Sequence, residues 1–380
     1  MTFIKKTLFL VFISTLILSD FCAAQNSQKP VIIAYVGGFR GRLLQPDSID
    51  AERLSHINYA FVDVKQNRAW LHNEATDTLN FARLNLLKKR NPDLKILISV
   101  GGWIWSKNFS DAVLTDSSTA NFSKSAVDIV AKYGLDGVDI DWEYPGMIGD
   151  SNVYRPEDKE HYTRLFKDLR QWLDSLCRIT NKKYFVTTAV GGSTDYIKHT
   201  EMNKVQLYTD YINIMSYDYD ESADSLSTHH TNLFTSRDHE NLSSADKSIR
   251  NFINAGVPPN KIVIGIAFYG KGLQMASADS HGLYSKTIKS IRGGGFTYLH
   301  DSLVNRNGFV RYWDSRAKAP WLFNADKKIF ITYDDQKSVK LKCRYVKQRH
   351  LAGAMFWEYT GDPKEYLLKV IAKSFHYNEK

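Results

Sequence analysis

Eight short apolar runs recur along the chain, and most are followed by a stretch in which apolar residues have helical spacing. The runs are continuous rather than alternating, which is typical of parallel strands buried on both faces. We predict strands at residues 31–36, 56–64, 94–103, 136–143, 184–190, 210–219, 261–270 and 351–359. We predict helices at residues 78–90, 117–132, 157–177, 244–255 and 335–349, and a last helix that closes the chain.

This alternation predicts an α/β fold, and eight strands is the number that closes a TIM (β/α)8 barrel. One connection, residues 271–333, is too long to be a structureless loop in a compact domain. It contains short aromatic runs between Gly and Asn residues, such as residues 293–303, which we interpret as strand-like. We therefore predict a barrel formed by residues 30–270 and 334–376, with a small α+β insertion between strand 7 and helix 7 that forms one wall of a cleft.

The N-terminus has the pattern of an export signal. Two lysines precede an apolar run at residues 8–18, and two alanines follow at 23–24. The run is too short to span a membrane. We predict a signal peptide at residues 1–24 and a secreted, periplasmic or cell-surface protein without a membrane span. A lipid anchor on Cys22 is disfavoured, because the residues before it match a lipoprotein signal poorly.

The charge and the cysteine positions bear on which partners and which disulfide bonds are expected. The formal charge is +9, but the basic residues are spread along the chain and form no recognised binding motif, so we expect no nucleic-acid partner. The 13% aromatic content must fill a core or line a cleft, and sugars stack on aromatic rings. Cys177 and Cys343 fall on helices that a barrel separates, so we expect free thiols. We also expect a monomer.

The candidate chemistry lies in residues 133–146, YGLDGVDIDWEYPG. Asp139, Asp141 and Glu143 alternate along the fourth strand and therefore project from one face. Such a row of carboxylates pushes their pKa values apart, so that one acid stays protonated while its neighbour is charged. We place Glu143 at the end of the strand, where barrel active sites form. Asp136 has the opposite parity and lies at the other end, so we predict a structural role for it.

The non-catalytic alternative for residues 133–146 is a calcium site or a solvated acidic turn. The spacing of an EF-hand loop is absent, and the acids are flanked by Val, Ile, Trp and Tyr-Pro. Instead, the pattern Asp-x-x-Asp-x-Asp-x-Glu resembles the signature of the family 18 glycoside hydrolases, the chitinases and their relatives.

Further elements resemble that family in the same order along nearly the whole chain after the signal. They are Ser99-x-Gly101-Gly102 at the end of strand 3, Met215-x-Tyr217-Asp218 at the end of strand 6, and Gly353-x-Met355-x-Trp357 on strand 8. Strand 7 is also similar, but Lys271 stands where the family usually has Arg. The insertion resembles the extra domain of the deeper-clefted chitinases.

The resemblance implies a retaining hydrolysis of β-1,4 bonds between N-acetylglucosamine units, in which the 2-acetamido group of the substrate acts as the nucleophile. Glu143 would be the general acid and base, and Asp141 would hold the acetamido nitrogen. Asp139 would share a proton with Asp141, and Tyr217 would donate to the acetamido carbonyl. Trp357 would form the floor beneath the sugar. No cofactor is implied.

The remaining candidates stay open between substrate contact and packing. We predict substrate binding by Tyr35, Phe61, Trp103, Met215, Asp218, Tyr269 and Lys271, beside Trp357, and structural support of the carboxylates by Ser99, Gly101, Gly102 and Asp136. His229 and His230 lie in a polar loop, residues 220–243. A metal site there is conceivable, but we expect solvated side chains and no metal.

Three functions remain in competition. The leading hypothesis is an exported chitinase-like enzyme that acts on N-acetylglucosamine-containing glycans. The second is an endo-β-N-acetylglucosaminidase that trims N-glycans with the same motif, and the insertion favours the first over it. The third is a non-catalytic lectin on the same barrel. The presence of Glu143 disfavours the lectin, because lectin relatives typically replace that acid.

Overall fold

The computed structural model describes residues 29–39, 41–219, 226–236 and 242–377. The predicted signal peptide, with Cys22, lies outside the described residues. In the part that is described, no helix combines the length and the apolar character needed to cross a membrane.

The strands of the described residues fall into two sheets. In chain order they are β1 (Val31–Gly37), β2 (His56–Lys65), β3 (Arg68–Trp70), β4 (Lys95–Gly101), β5 (Gly137–Asp141), β6 (Phe185–Gly191), β7 (Tyr211–Met215), β8 (Ile262–Ala267), β9 (Tyr269–Met275), β10 (Thr287–Gly295), β11 (Phe309–Asp314), β12 (Ala319–Asn324), β13 (Ile329–Tyr333) and β14 (Gly353–Trp357).

Most of the α-helices surround the first sheet or join its strands, and α9 joins two strands of the second sheet. They are α1 (Glu74–Leu86), α2 (Gly102–Trp105), α3 (Phe109–Ala112), α4 (Asp116–Lys132), α5 (Asp158–Thr180), α6 (Thr194–Lys198), α7 (Met202–Val205), α8 (Ala245–Asn254), α9 (Phe296–Tyr298), α10 (Gln336–Gln348) and α11 (Tyr366–Ser374).

Eight parallel strands close into a barrel in the order β1, β2, β4, β5, β6, β7, β8 and β14. Closure is visible at β1, where Ile33 pairs with His56 of β2 on one side and with Met355 of β14 on the other. The short strand β3 forms an antiparallel hairpin with β2 outside the ring. The predicted TIM barrel is therefore confirmed.

Side-chain alternation divides the core into two layers. On β5, Val138 and Ile140 belong to the large apolar layer between the strands and the helices. On β1, Ile33 and Tyr35 belong to a smaller apolar cluster inside the barrel. Since neighbouring residues of a strand face opposite ways, Asp139 projects into the barrel interior. The same parity carries Asp141 towards the barrel mouth.

The second sheet is antiparallel and has the strand order β10-β9-β13-β12-β11. Its strand β9 begins at Tyr269, and one residue separates it from the end of β8 at Ala267. The predicted single strand at residues 261–270 is therefore wrong: it is two strands that belong to different sheets. A small apolar cluster that includes Trp321 and Phe330 stabilises the second sheet.

The predicted strand-like run at residues 293–303 is also corrected in part. Residues 293–295 end β10, but α9 and a following π-helical turn, Leu299–Leu303, make the rest of it helical. Phe296, Leu299 and Leu303 are buried in the large apolar layer. Their spacing of three and four residues suits a helix rather than a strand. The three glycines before them favoured the interpretation of a strand next to a turn.

The cysteines lie on separate helices. Cys177 is on α5 and Cys343 is on α10, and both are free thiols. Cys343 is buried, and burial raises the pKa of its thiol to about 12.

A fully buried ion pair joins α10 to the residue that follows β13. Lys342 Nζ lies 2.6 Å from Asp334 Oδ2, and neither side chain is exposed. The hydroxyl of Thr231 donates to the same carboxylate at 2.7 Å, and Ser338 Oγ donates to its other oxygen at 2.7 Å. Both oxygens of the Asp334 carboxylate are therefore bonded. Removing the ammonium group of Lys342 would leave a buried negative charge without its counter-ion.

We therefore expect Lys342→Met to lower the free energy of unfolding by about 3–5 kcal/mol, the usual cost of breaking a buried pair from one side. Chemical denaturation measures this loss. Lys340→Met, an exposed change on the same helix, is the control. Adding Asp334→Asn to Lys342→Met should recover part of the loss, and a Lys342→Met protein as stable as the wild type would contradict the account.

Candidate active site

Asp139 is the innermost carboxylate of the row and is fully buried. Four side chains on other barrel strands donate to it: Tyr35 Oη at 3.0 Å and Ser99 Oγ at 2.7 Å to Oδ2, and Thr187 Oγ1 at 2.5 Å and Asn213 Nδ2 at 3.3 Å to Oδ1. Burial raises the pKa of Asp139, and the hydrogen bonds oppose that rise. These donors replace the water that a buried carboxylate loses.

Asp141 is buried in a less polar setting. Among the described residues, its Oδ1 atom has no hydrogen-bond partner. Burial, followed by the negative charges of Glu143 and Asp139, raises the pKa of Asp141 well above its ordinary value. The protonated form of Asp141 is therefore favoured.

Glu143 lies two residues beyond the end of β5. The prediction that it is the last residue of the strand is wrong in this detail. Its backbone N–H donates to Ser106 Oγ at 2.9 Å, and the same hydroxyl donates to the backbone carbonyl of Asp141 at 3.0 Å. Ser106 thus replaces a partner strand and holds the half-buried Glu143 at the barrel mouth.

An open cleft crosses this mouth in two adjoining parts. The first has a volume of about 710 Å³ and is largely aromatic, with Tyr35, Phe39, Phe61, Trp105 and Trp357 among its lining residues. The second, of about 420 Å³, is lined by Met147, Ile148, Ser193, Tyr219 and others. Trp103, Glu143, Tyr144, Met215, Tyr217 and Asp218 line both parts. Glu143 therefore lies where the two parts meet.

Trp357 stands at the end of β14 within an aromatic group. Its ring is 5.4 Å from that of Phe61, 5.9 Å from that of Tyr35 and 6.5 Å from that of Phe39, measured between centroids. The Phe61 and Phe39 rings are within 20° of parallel to it. Trp357 is only partly buried, so it offers a flat apolar surface inside the first part of the cleft.

Tyr217 lies beside the carboxylates. Its hydroxyl is 3.8 Å from Met355 Sδ. Burial raises the pKa of Tyr217 well above its ordinary value, and the charges of Asp141, Asp218 and Glu143 add to the effect. Its phenol consequently keeps its proton and remains a hydrogen-bond donor.

Asp218 follows Tyr217 and is held by neighbours from β9. Tyr269 Oη donates to its Oδ1 atom at 2.6 Å, and Lys271 Nζ lies 3.1 Å from the same oxygen. Burial acts to raise the pKa of Asp218, but contacts with His230, Lys271 and Tyr269 outweigh it and hold this pKa well below its ordinary value. Lys271 also lines the cleft, whereas Tyr269 contacts Asp218 and the ring of Tyr217.

The two glycines after Ser99 make room for the acids. Gly101 and Gly102 have φ values of +110° and +77°. A Cβ on Gly101 would lie 2.2 Å from the carbonyl oxygen of Asp141, and one on Gly102 would lie 2.6 Å from the Phe61 ring. Only glycine allows β4 to turn so close to β5 at the cleft.

Asp136 lies at the other end of β5, away from the cleft. Its Oδ2 atom accepts a hydrogen bond from the backbone N–H of Ile96 at 2.8 Å, and the carboxylate pairs with Lys88 at 2.6 Å and Lys182 at 2.8 Å. Burial acts to raise its pKa, but the two lysines outweigh it and lower the pKa of Asp136. These contacts suit the structural role expected for it.

His229 and His230 are buried, so the prediction that they are solvated is wrong. His230 Nδ1 lies 3.4 Å from Asp218 Oδ1, next to the cleft. The polar composition of the surrounding loop concealed this position, because burial comes from packing against the second sheet. Across the described ranges, no group of three or more His, Cys, Asp or Glu side chains is arranged to hold a metal ion.

The chain matches known proteins over this whole region. The model of the glycosyl hydrolases family 18 matches residues 31–362. Chitinase A1 of Niallia circulans is 36% identical over 86% of this chain, and the match spans 55% of that relative.

Two solved structures are similar throughout the barrel. A glycoside hydrolase family 18 N-acetylglucosaminidase from Paenibacillus barengoltzii is 40% identical, with a TM-score of 0.84, and the match covers 91% of this chain and 99% of that one. A chitinase from Bacillus thuringiensis is 33% identical, with a TM-score of 0.85, and the match covers 92% of this chain and 70% of that one.

The raised pKa of Asp141 has a consequence for stability. A carboxyl group whose pKa is higher in the folded than in the unfolded protein contributes stability at low pH and loses that contribution as pH rises through the folded value. Asn remains neutral at every pH. At pH 7 we therefore expect Asp141→Asn to raise the unfolding temperature by roughly 2 °C or more. This gain should vanish below about pH 4, where Asp is neutral in both states.

Thermal unfolding at several pH values measures this difference. Asp128→Asn on the exposed face of α4 is the control and should change little at any pH, because exposed ion pairs contribute little to stability. An Asp141→Asn protein that is less stable than the wild type at pH 7 would contradict the assignment of a raised pKa.

Proposed function

Because the chain belongs to family 18 of the glycosyl hydrolases, we propose that it cleaves β-1,4 bonds between N-acetylglucosamine units with Glu143 as general acid and base. One observation carries the proposal: Glu143 lies where the two parts of the cleft meet, beside the buried Asp141. A glycan that occupies both parts places one glycosidic bond at this junction. That bond is then within reach of a carboxyl group in a partly dry setting.

The sugar on the aromatic side of the junction would stack on Trp357. In this pose Tyr217 and Asp141 are the neighbouring groups able to donate hydrogen bonds. Tyr217 keeps its proton because of burial, and Asp141 keeps its own because it is buried and two acids adjoin it. Both suit the task of holding a 2-acetamido group with its carbonyl oxygen directed at the anomeric carbon.

The reaction would proceed in two steps with retention of configuration. With the glycan bound, the row carries two protons, one on Glu143 and one shared by Asp141 and Asp139. Glu143 donates its proton to the glycosidic oxygen as the acetamido oxygen attacks the anomeric carbon, and the bond to the leaving sugar breaks. The resulting oxazolinium ion carries a positive charge, which ionised Asp141 stabilises after sharing its proton with Asp139. Glu143 then removes a proton from water, and the oxygen of that water bonds to the anomeric carbon as the bond from that carbon to the acetamido oxygen breaks, which restores the acetamido group.

The second sheet would form one wall of the cleft. The contact that supports this role is made by Lys271 of β9, which lines the first part and pairs with Asp218. The division into a catalytic barrel, predicted at residues 30–270 and 334–376, and an insertion, predicted at residues 271–333, belongs to this proposal, with its first boundary moved to Tyr269, where β9 begins. Export by the signal at residues 1–24 is also part of it and rests on the sequence pattern alone.

A second candidate is the release of single N-acetylglucosamine units from chain ends. It is favoured by the match to the Paenibacillus barengoltzii N-acetylglucosaminidase, because that protein is covered over 99% of its length. An enzyme that cleaves within N-glycans and a non-catalytic lectin are the other two hypotheses, and the experiment below distinguishes both from a chitinase.

The test compares wild type with Glu143→Gln on chitin tetramers, chitin polymer and a glycoprotein that carries N-glycans. We expect wild type to hydrolyse the tetramer with β-anomers as the first products, seen by NMR. Product sizes separate internal cleavage from release of single units. Glu143→Gln should lower kcat at least ~10²-fold, because it removes the general acid, while oligomer binding measured by calorimetry stays nearly unchanged.

Glu160→Gln, an exposed change on α5, is the matched control. A Glu143→Gln enzyme that keeps more than about a tenth of the wild-type rate would contradict the role of general acid. Wild-type protein that binds oligomers without turnover would favour the lectin.

A further inference from the structure

The segment His229–Thr231 is anchored on both sides of His230. His229 Nε2 lies 3.4 Å from Asp314 Oδ2 at the end of β11. Thr231 Oγ1 donates to Asp334 Oδ2, the carboxylate of the buried ion pair that anchors α10. The segment is thus tied to β11 on one side and to the connection between β13 and α10 on the other, so that the residue between these anchors has a fixed position.

The backbone of His230 is also fixed. Its N–H donates to Thr332 Oγ1 at 3.1 Å, and its carbonyl accepts from the N–H of Tyr219 at 3.1 Å. The second contact joins this segment to the residue that follows Asp218. The His230 ring is fully buried, with its centroid 5.3 Å from that of Tyr269.

Among the described residues, the His230 ring forms an ion pair with Asp218. Nδ1 lies 3.4 Å from Asp218 Oδ1, which is longer than a fully formed hydrogen bond. In the described part of the chain, neither nitrogen of the His230 ring makes a hydrogen bond of acceptable length and angle. A buried polar group left in this way is destabilising and calls for an explanation. Polar contacts in active sites commonly shorten once substrate is bound.

The contacts of Asp218 indicate what His230 does. Tyr269 Oη, Lys271 Nζ and His230 Nδ1 all approach the same oxygen, Oδ1. The side chain nevertheless keeps 42% of its exposure and lines both parts of the cleft beside Glu143. Since the two oxygens of a carboxylate point apart, drawing Oδ1 into the protein directs Oδ2 towards the cleft.

We propose that His230 is a positioning residue, whose Nδ1–H holds Asp218 Oδ1 so that Oδ2 accepts a hydrogen bond from a hydroxyl or amide group of the bound glycan. This inference rests on the proposed hydrolase function. Lys271 alone does not fix the carboxylate, because its ammonium ends a flexible chain that is 34% exposed. The imidazole is rigid, buried and presented by an anchored segment.

Three substitutions separate positioning from packing. Asn places its amide nitrogen near the position of Nδ1, Gln places its own near Nε2, and Leu has no donor. We expect His230→Leu and His230→Gln to lower kcat/KM on chitin tetramers about tenfold, the scale of one hydrogen bond to a charged group. His230→Asn should recover most of this loss. In an Asp218→Asn background, His230→Leu should cause little further loss, because the two residues act together.

Two outcomes would overturn the inference. One is equal loss in the Asn and Leu variants accompanied by equal loss of thermal stability, which indicates packing alone. The other is wild-type kcat/KM in His230→Leu.

If wild type shows no turnover, the proposed function fails, and ¹⁵N NMR of His230 then decides this inference separately. The account predicts a proton on Nδ1 and a signal that shifts in Asp218→Asn. An unprotonated Nδ1, or a signal indifferent to that substitution, contradicts it.

Discussion

The arrangement depends on burying a row of like charges at the mouth of a closed barrel. Asp139 and Asp141 share a face of β5, and Glu143 continues the row beyond the strand. The protein solvates these acids unequally. Asp139 receives hydrogen bonds from four strands, whereas burial and two negative neighbours favour the proton on Asp141. Because of this difference in surroundings, some carboxyl groups of the row can hold a proton while others are ionised, so that an acid and a negative charge are available side by side.

The row is costly for the fold, and other contacts offset that cost. Asp136 at the opposite end of β5 is neutralised by two lysines, and Asp334 is paired with the buried Lys342. These two buried acids away from the cleft have counter-ions, while Asp141 lies against other acids instead. Contacts that destabilise the folded state are commonly concentrated at functional sites, where activity requires them. Gly101 serves the same end, since a side chain there would collide with the backbone of Asp141.

The barrel and its acids were predictable from local patterns. Continuous apolar runs identify buried parallel strands, and the two-residue alternation of Asp139 and Asp141 specifies a shared face. Features set by distant packing were not predictable. His230 lies in a polar loop whose burial depends on the second sheet, and the break between β8 and β9 falls within one apolar run. Glu143 extends past its strand because a hydroxyl, from Ser106, takes the place of a neighbouring strand.

The central claim is that Asp141 holds its proton because two acids adjoin it in a buried site. The most direct measurement is ¹³C NMR titration of aspartate carboxyl groups, with the Asp141 signal assigned by its loss in Asp141→Asn. The account predicts an apparent pKa well above the ordinary aspartate value and a lower one in Glu143→Gln, where one negative charge is gone. An Asp141 signal that titrates at the ordinary value, or that is indifferent to Glu143→Gln, would contradict it.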